Sequence, residues 1–507
     1  MVERHTALYD AAGVRALDQL AIESHGVPGY ELMCRAGAFC FARLLARWPD
    51  CQRAVLVCGT GNNGGDGFVI ARLMVEAGLE PRVFIVGDVH NIADDARTAL
   101  DAMRDAGVEV GHELGEMLRG ADVIVDALFG TGLRRALGDE VVHIVAQINA
   151  AHQPVLAVDL PSGLSSDTGV AVPVAVRAEC TCTFIGLKFG QWTGQGPEFC
   201  GDLEFDDLDV PPEIYPKVRP IAELLDNDVL ARRLRPRARD AHKGHFGHVL
   251  VVGGGHGYAG AVLLAARAAV RAGAGLVTVA TRAEHVGLVS ACPEAMFVPI
   301  ESGYELQALA ERADVVAVGP GLGQTEWARP VFHAALESGK VVVVDADGLN
   351  LMAEGGARVR DLSGLVLTPH PGEAARLIGS STIAVQRNRL TTAAEISVKF
   401  GAICVLKGAG TVVVDNTRRS VVGLGNPGLA SGGSGDTLTG ITAALLAQAE
   451  ALSLSQMEAV EVAVCAHAAA ADRAALQGER GMLASDVIEH LRPVINPGID
   501  PSARIGR

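Results

Sequence analysis

Residues 425–440 read GNPGLASGGSGDTLTG, six glycines in sixteen positions running into the helical pattern TLTGITAALLAQ. Free N–H groups of such a turn and the positive end of the following helix favour an anion. Asp436 places a carboxylate in that cradle, and two readings explain it. Asp436 caps the helix, or it takes the proton of a hydroxyl that attacks a phosphoryl group held by Gly433–Gly435. The surrounding glycines favour the second reading, because a cap needs none of them. Other turns at strand ends join this one: GPGLG (319–323), DADGLN (345–350), TPHPGE (368–373) and LKGAGT (406–411). Lys407 and the small residues after it suit a nucleotide phosphate. No G-x-x-x-x-G-K-[ST] occurs, so a P-loop is not expected.

The first half carries VCGTGNNGGDGFVIARLM (57–74), in which Gly59 to Gly64 fit G-x-G-x-x-G. That fingerprint expects an acid about 20 residues on, and Asp88 comes too late. Asn62, Asn63 and Asp66 are more polar than a pyrophosphate turn requires, although Asp66 as a helix cap is the simpler alternative. Asp126 and Asp159 end two further strand-like runs. Asn63, Asp126 and Ser162 together offer one carboxylate and neutral oxygens, a set suited to a monovalent cation. A hydrogen-bonded loop junction is the alternative. Lys188 either reaches a phosphate or is an ordinary exposed lysine. His242, His245 and His248 lack a Cys or carboxylate to complete a metal set, so loop or substrate roles are expected of them.

The elements that must position these residues are short apolar runs, each followed by a glycine turn and a helical pattern. AVLVCG (54–59), RVFIVGD (82–88), DVIVDALFG (122–130), VLAVDLPSG (155–163) and CTCTFIG (180–186) make one set. An acidic, Pro-rich break (202–220) follows, and then an Arg cluster at 231–240 that reads as a solvated linker. The pattern restarts at GHVLVVGGG (247–255) and continues to AICVLKG (402–408). Continuous runs of this kind predict buried parallel strands with helical crossovers. The expected fold is α/β, with two doubly wound domains divided at 218/219. The 507 residues carry 43 Lys+Arg against 59 Asp+Glu, a net charge of −16 that argues against broad nucleic-acid binding. Ten scattered cysteines, no leader-like N-terminus and no long apolar span predict a cytoplasmic protein with reduced thiols and no membrane segment. Ala-rich helices permit subunit packing, so a homo-oligomer is expected.

GTGNNGGDG, DALFGTGL, AVDLPSG and FIGLKFG resemble, in that order, the motifs of the NAD(P)H-hydrate epimerase family, over about residues 1–215. The resemblance implies a Rossmann-like domain and places substrate against Asn62, Asn63, Gly64, Gly65, Asp66, Gly130, Thr131, Gly132, Leu133, Arg134, Arg135 and Ala136. It sets Asp159 beside the reacting centre, as a carboxylate fit to move a proton, and K+ on Asn63, Asp126 and Ser162. KGHFGHVLVVGG, GPGLG, DADGLN, TPHPGE, LKGAGT and GNPGLASGGSGDTLTG resemble the ribokinase-like, ADP-dependent NAD(P)H-hydrate dehydratase family, over about 225–490. That likeness implies hydrate contacts from Ala261, Gly321, His370 and Asp436. It implies nucleotide contacts from Lys407, Gly408, Ala409, Gly410, Thr411 and Gly435, with Mg2+ accompanying ADP. The expected chemistry is repair of hydrated nicotinamide nucleotides; the alternative is a vitamin or sugar kinase with a non-catalytic N-terminal binding module.

Overall fold

A computed structural model describes residues 6–132, 137–355 and 364–497. The chain divides into two compact units, Met1–Glu223 and Leu224–Arg507.

In the first unit the described residues form a seven-stranded parallel sheet. Its strands are β1 (Arg53–Cys58), β2 (Glu80–Ile85), β3 (Glu109–Gly111), β4 (Val123–Ala127), β5 (Val155–Val158), β6 (Cys180–Phe184) and β7 (Asp202–Asp206). They lie in the order β3-β2-β1-β4-β5-β6-β7. The strand direction reverses its walk between β1 and β4, which puts the loops after those strands on either side of a crevice at their carboxyl ends. Alternation within β1 explains the two-sided burial. Ala54, Leu56 and Cys58 pack into one apolar cluster, Val55 and Val57 into another. β7 is a finding against expectation: the stretch read as a break opens with a strand paired to β6. Its half-buried, acid-rich sequence suits an edge and hides the strand from a hydrophobic reading.

In the second unit the strands are β8 (His248–Val252), β9 (Leu276–Thr281), β10 (Met296–Pro299), β11 (Val315–Val318), β12 (Val341–Val344), β13 (Leu365–Leu367), β14 (Ile403–Leu406), β15 (Val412–Val414) and β16 (Arg419–Val422). They run in the order β10-β9-β8-β11-β12-β13-β14-β15-β16. Pairing is parallel from β10 to β14 and antiparallel through β15 and β16. A helix at Ser434–Ala447 is buried along nearly its whole length, Thr437 to Leu446 included, so it must sit inside the unit. Gly440 marks its contact with the helix Ala259–Arg271: a Cβ there would stand 2.1 Å from Ala265 O. Among the described residues no helix is long and apolar enough to cross a membrane, and all ten cysteines are free thiols.

Candidate functional sites

In the first unit, helix α1 (Asn62–Glu76) begins directly after the turn that follows β1, with Gly61 as its N-cap. Asp66 is therefore not a cap. It lies in the second turn, and burial together with the charges of Asp159 and Asp18 pushes its carboxyl well above the ordinary range. The turn is tight because the glycines let backbones touch: a Cβ on Gly59 would meet Leu128 O at 2.2 Å, and one on Gly64 would meet Gly59 O at 1.9 Å.

Asp159 follows β5 with φ +67, a conformation that costs about 1–3 kcal/mol for a residue other than glycine. The strain aims its carboxylate across the sheet end. Oδ2 accepts from Thr131 N (2.8 Å) and Thr131 Oγ1 (2.7 Å), and Oδ1 pairs with Lys188 Nζ at 2.5 Å. Burial pushes this carboxyl up, but the Lys188 ammonium and the Thr131 donors hold it below the usual carboxylate range. Lys188 is not the exposed or phosphate-reaching lysine the sequence suggested. Its side chain has no exposure, and Nζ also donates to Thr183 Oγ1 (2.8 Å) and Phe184 O (3.0 Å).

The cation set comes together in part. Ser162 N donates to Asp126 Oδ2 (2.7 Å), and Ser162 Oγ donates to Asp126 Oδ1 (2.6 Å). Asn63 lies near Asp159: a Cβ on Gly130 would stand 3.0 Å from Asn63 Oδ1 and 2.5 Å from Asp159 Oδ2. Asn63 Nδ2 is buried without a partner. Amide O and N are interchangeable in assignment, so this side chain has a free polar atom for a ligand or cation. Burial pushes Asp126 up to about 6 against its Ser162 bonds, an uncompensated negative charge that a bound cation would offset. The donor chemistry thus fits a monovalent ion. Leu133, Arg134, Arg135 and Ala136 lie outside the described residues.

In the second unit the strand-end turns converge. Gly321 has φ +54, and a Cβ there would stand 2.6 Å from Tyr258 Cβ and 3.1 Å from Ala261 Cβ, so Gly321 and Ala261 are neighbours. Asp345, after β12, is buried. It accepts from Lys407 Nζ on Oδ1 (2.6 Å) and Thr439 Oγ1 on Oδ2 (2.8 Å). Burial raises its carboxyl, yet Lys407 and the hydroxyls keep it below the ordinary range. Lys407 is held by this aspartate, with Glu373 Oε2 at 3.8 Å. A Cβ on Gly435 would lie 3.3 Å from Lys407 Nζ.

Asp436 is the third residue of helix Ser434–Ala447, whose N-cap is Gly433 at φ +88. The capping alternative is excluded by position. Among the described residues its carboxylate has no hydrogen-bond partner. Burial, then the negative charges of Asp345 and Asp347, push it up to about 7 against the pull of Lys407. His370 caps the helix Pro371–Ile378, its Nδ1 accepting from Gly372 N at 2.9 Å. Burial and the Lys407 and Arg376 charges keep its imidazole below the usual value, and half of its ring faces outward.

Sequence reasoning missed two supports. Arg389 is buried, with NH2 donating to Leu406 O, Lys407 O and Gly410 O at 3.2–3.3 Å, so it braces the backbone of the 407–411 turn. Asp345, noted only within a turn, holds Lys407. Nothing in RNRLTTAAE marks Arg389, because the three acceptors of its NH2 are backbone oxygens brought near by folding, while NH1 donates to Gln386 Oε1 (2.7 Å). The three histidines have structural partners. His242 accepts from Gly244 N (3.2 Å), His245 stacks on His242 at 3.7 Å, and His248 bonds Arg312 O and Thr278 Oγ1 at 2.9 and 2.8 Å.

Fold and sites together define a two-unit α/β enzyme with one buried carboxylate centre at the strand ends of each unit. Comparison with known proteins gives the family. Residues 29–190 match the YjeF-related protein N-terminus, and residues 249–493 match NAD(P)H-hydrate dehydratase. The bifunctional NAD(P)H-hydrate repair enzyme Nnr of Coxiella burnetii is 45% identical, over 97% of this chain and 100% of its own. That of Escherichia coli is 39% identical, over 98% and 95%. A solved ADP/ATP-dependent NAD(P)H-hydrate dehydratase from Bacillus subtilis is 29% identical, over 53% of this chain and 96% of its own, with TM-score 0.47. The chain belongs to the bifunctional NAD(P)H-hydrate repair enzymes.

Proposed function

We propose that residues 1–218 interconvert the R and S hydrates of NADH and NADPH. Residues 219–507 then return the S form to the reduced nucleotide, converting ADP to AMP and phosphate. The observation that carries this reading is the unpartnered carboxylate of Asp436, poised near neutrality inside a glycine cradle beside Lys407. Asp436 takes the proton of the hydrate hydroxyl as its oxygen attacks the terminal phosphoryl group of ADP, and AMP leaves. Loss of the phosphorylated oxygen with a ring proton then restores the double bond and releases phosphate. Ala261, Gly321 and His370 border the hydrate, while Lys407, Gly408, Ala409, Gly410, Thr411 and Gly435 hold the nucleotide.

In the first unit Asp159, kept ionised by Lys188, serves as base, and Asp66, kept protonated by burial, is the matching acid. Environments that push two carboxyls apart assign such roles. The substrate rests on Asn62–Asp66 and Gly130–Gly132, continuing through Leu133, Arg134, Arg135 and Ala136. K+ on Asn63, Asp126 and Ser162 supplies a fixed positive charge for the substrate's phosphates. Among the described residues no cluster of three or more His, Cys, Asp or Glu suits a metal, so Mg2+ in the second unit travels with the ADP phosphates, as is common for this ion. A cytoplasmic homo-oligomer completes the reading, tested by fractionation and by mass in solution.

Pure protein given mixed-epimer hydrate and ADP should restore the reduced-nicotinamide absorbance in full, after correction for spontaneous epimer exchange. Recovery of only the S fraction would sink the role of the first unit. A phosphorylated product that persists would replace the dehydratase with a kinase.

A further inference from the structure

A large cavity of the second unit lies away from the strand-end turns. It occupies about 1360 Å³ at the opposite, amino ends of the second unit's strands, with Gly247, Asp314 and Val341 in its wall. Five arginines line it: Arg235, Arg237, Arg267, Arg271 and Arg492. Arg237 is built into the wall. Its guanidinium lies 3.5 Å over the Phe246 ring and donates to Gly273 O and, at 2.8 Å, to Gln448 Oε1. Gln448 is itself buried, and its Nε2 donates to Ala272 O and Ala444 O at 3.1 and 2.8 Å. Arg235, Arg267, Arg271 and Arg492 make no side-chain hydrogen bond or ion pair among the described residues.

The carboxylates on the same wall are Glu294, Asp314 and Glu450, and Asp314 is engaged by His248 N at 2.7 Å. Positive charge is therefore in excess here, on a chain whose net charge is −16. Unpaired guanidinium forks from three separate segments are suited to phosphoryl oxygens, which they bind in pairs. Arg237 covers the Phe246 ring, so charge rather than aromatic stacking governs recognition. The space exceeds the roughly 300–1,000 Å³ of most small-ligand pockets.

We propose that this cavity is a second binding site, separate from the nucleotide turn, for a small molecule bearing several phosphoryl groups. Two helices set the separation. Ala259–Arg271 and Ser434–Ala447 begin at the active-site turns and end at this cavity, a span of about 20 Å at 1.5 Å per residue. The two sites can thus be filled together. This also gives the Arg cluster at 231–240 a place: two of its members are cavity wall.

The test is calorimetric titration of the full chain with inorganic tripolyphosphate. A Lys407→Ala variant weakens the nucleotide turn, so one equivalent should still bind to it. Arg267→Ala/Arg271→Ala should weaken that binding about tenfold or more, while ADP-dependent turnover persists. Arg235→Ala/Arg492→Ala, at exposed positions, should do the same and stands in if the first pair fails to fold. Absence of tripolyphosphate binding, its loss in Lys407→Ala, or unchanged affinity in the arginine variants would overturn the proposal.

Discussion

Each unit sets a lysine against an aspartate at the carboxyl ends of its strands, but the pairs do different work. In the first unit Lys188 grips Asp159 at 2.5 Å while Thr131 holds the other oxygen, so the acid we propose as base is itself the clamped one. In the second unit Lys407 grips Asp345 at 2.6 Å, and the acid we propose as base, Asp436, is left unclamped. A clamped carboxylate stays ionised and is a weak, always available base. An unclamped one among like charges rises to about 7, where a base is most effective near neutral pH. The same two residue types therefore supply base strength in one site and base availability in the other.

The contrast breaks most visibly at the acids themselves. Asp436→Ala should lower dehydratase kcat by about 10²- to 10⁴-fold while nucleotide binding survives; retained turnover would refute the base assignment. Asp159→Ala should abolish epimer exchange, followed by NMR of the two hydrates, without touching the other activity.

Lys188 and pH sharpen the comparison. Dehydratase kcat/KM should fall about tenfold per pH unit below about 7, as Asp436 protonates. Epimerisation should show no acid limb there, because Lys188 keeps Asp159 below the usual range. Lys188→Met removes that charge, so Asp159 rises and an acid limb should appear where the unaltered enzyme has none. An unchanged epimerase profile in this variant would separate Asp159 from the base role. Arg389→Met, which frees three backbone oxygens of the nucleotide turn, should raise the KM for ADP about three- to tenfold with a smaller change in kcat.

What the sequence exposed and what it concealed follow from the same physics. Buried parallel strands show as apolar runs because both faces are covered, so β1, β4, β5, β8, β11 and β12 are legible. The edge strands escape that reading for different reasons: β7 is interleaved with acids, and β10 is only the four residues Met296–Pro299, ending in a proline. Glycine turns with acids announce Asp66, Asp159 and Asp436, yet whether an acid is capped, clamped or free depends on partners far along the chain. Lys188 lies 29 residues beyond Asp159 and Lys407 lies 62 beyond Asp345, and no local pattern assigns those pairs. The arginine-lined cavity needs contributions from Arg235 to Arg492, so only folding assembles it.

The smallest expected effect carries the comparison over to stability. Asp436 binds its proton more tightly folded than unfolded, with about 7 against an ordinary 3.8. The folded state therefore holds the extra proton between those values, and its advantage is lost as pH rises through about 7. Above that pH a charged Asp436 beside Asp345 and Asp347 costs the second unit stability. Asp436→Asn removes the charge, so its melting transition at pH 8 should rise by on the order of a few °C, with the gain shrinking toward pH 5. The inactive variant would then be the more stable one, as expected where a site holds an unpaired acid for chemistry. Asp159→Asn should go the other way at pH 8, because it strips Lys188 of its buried partner. Equal shifts of the same sign in both variants would show that the two acids do not differ in kind.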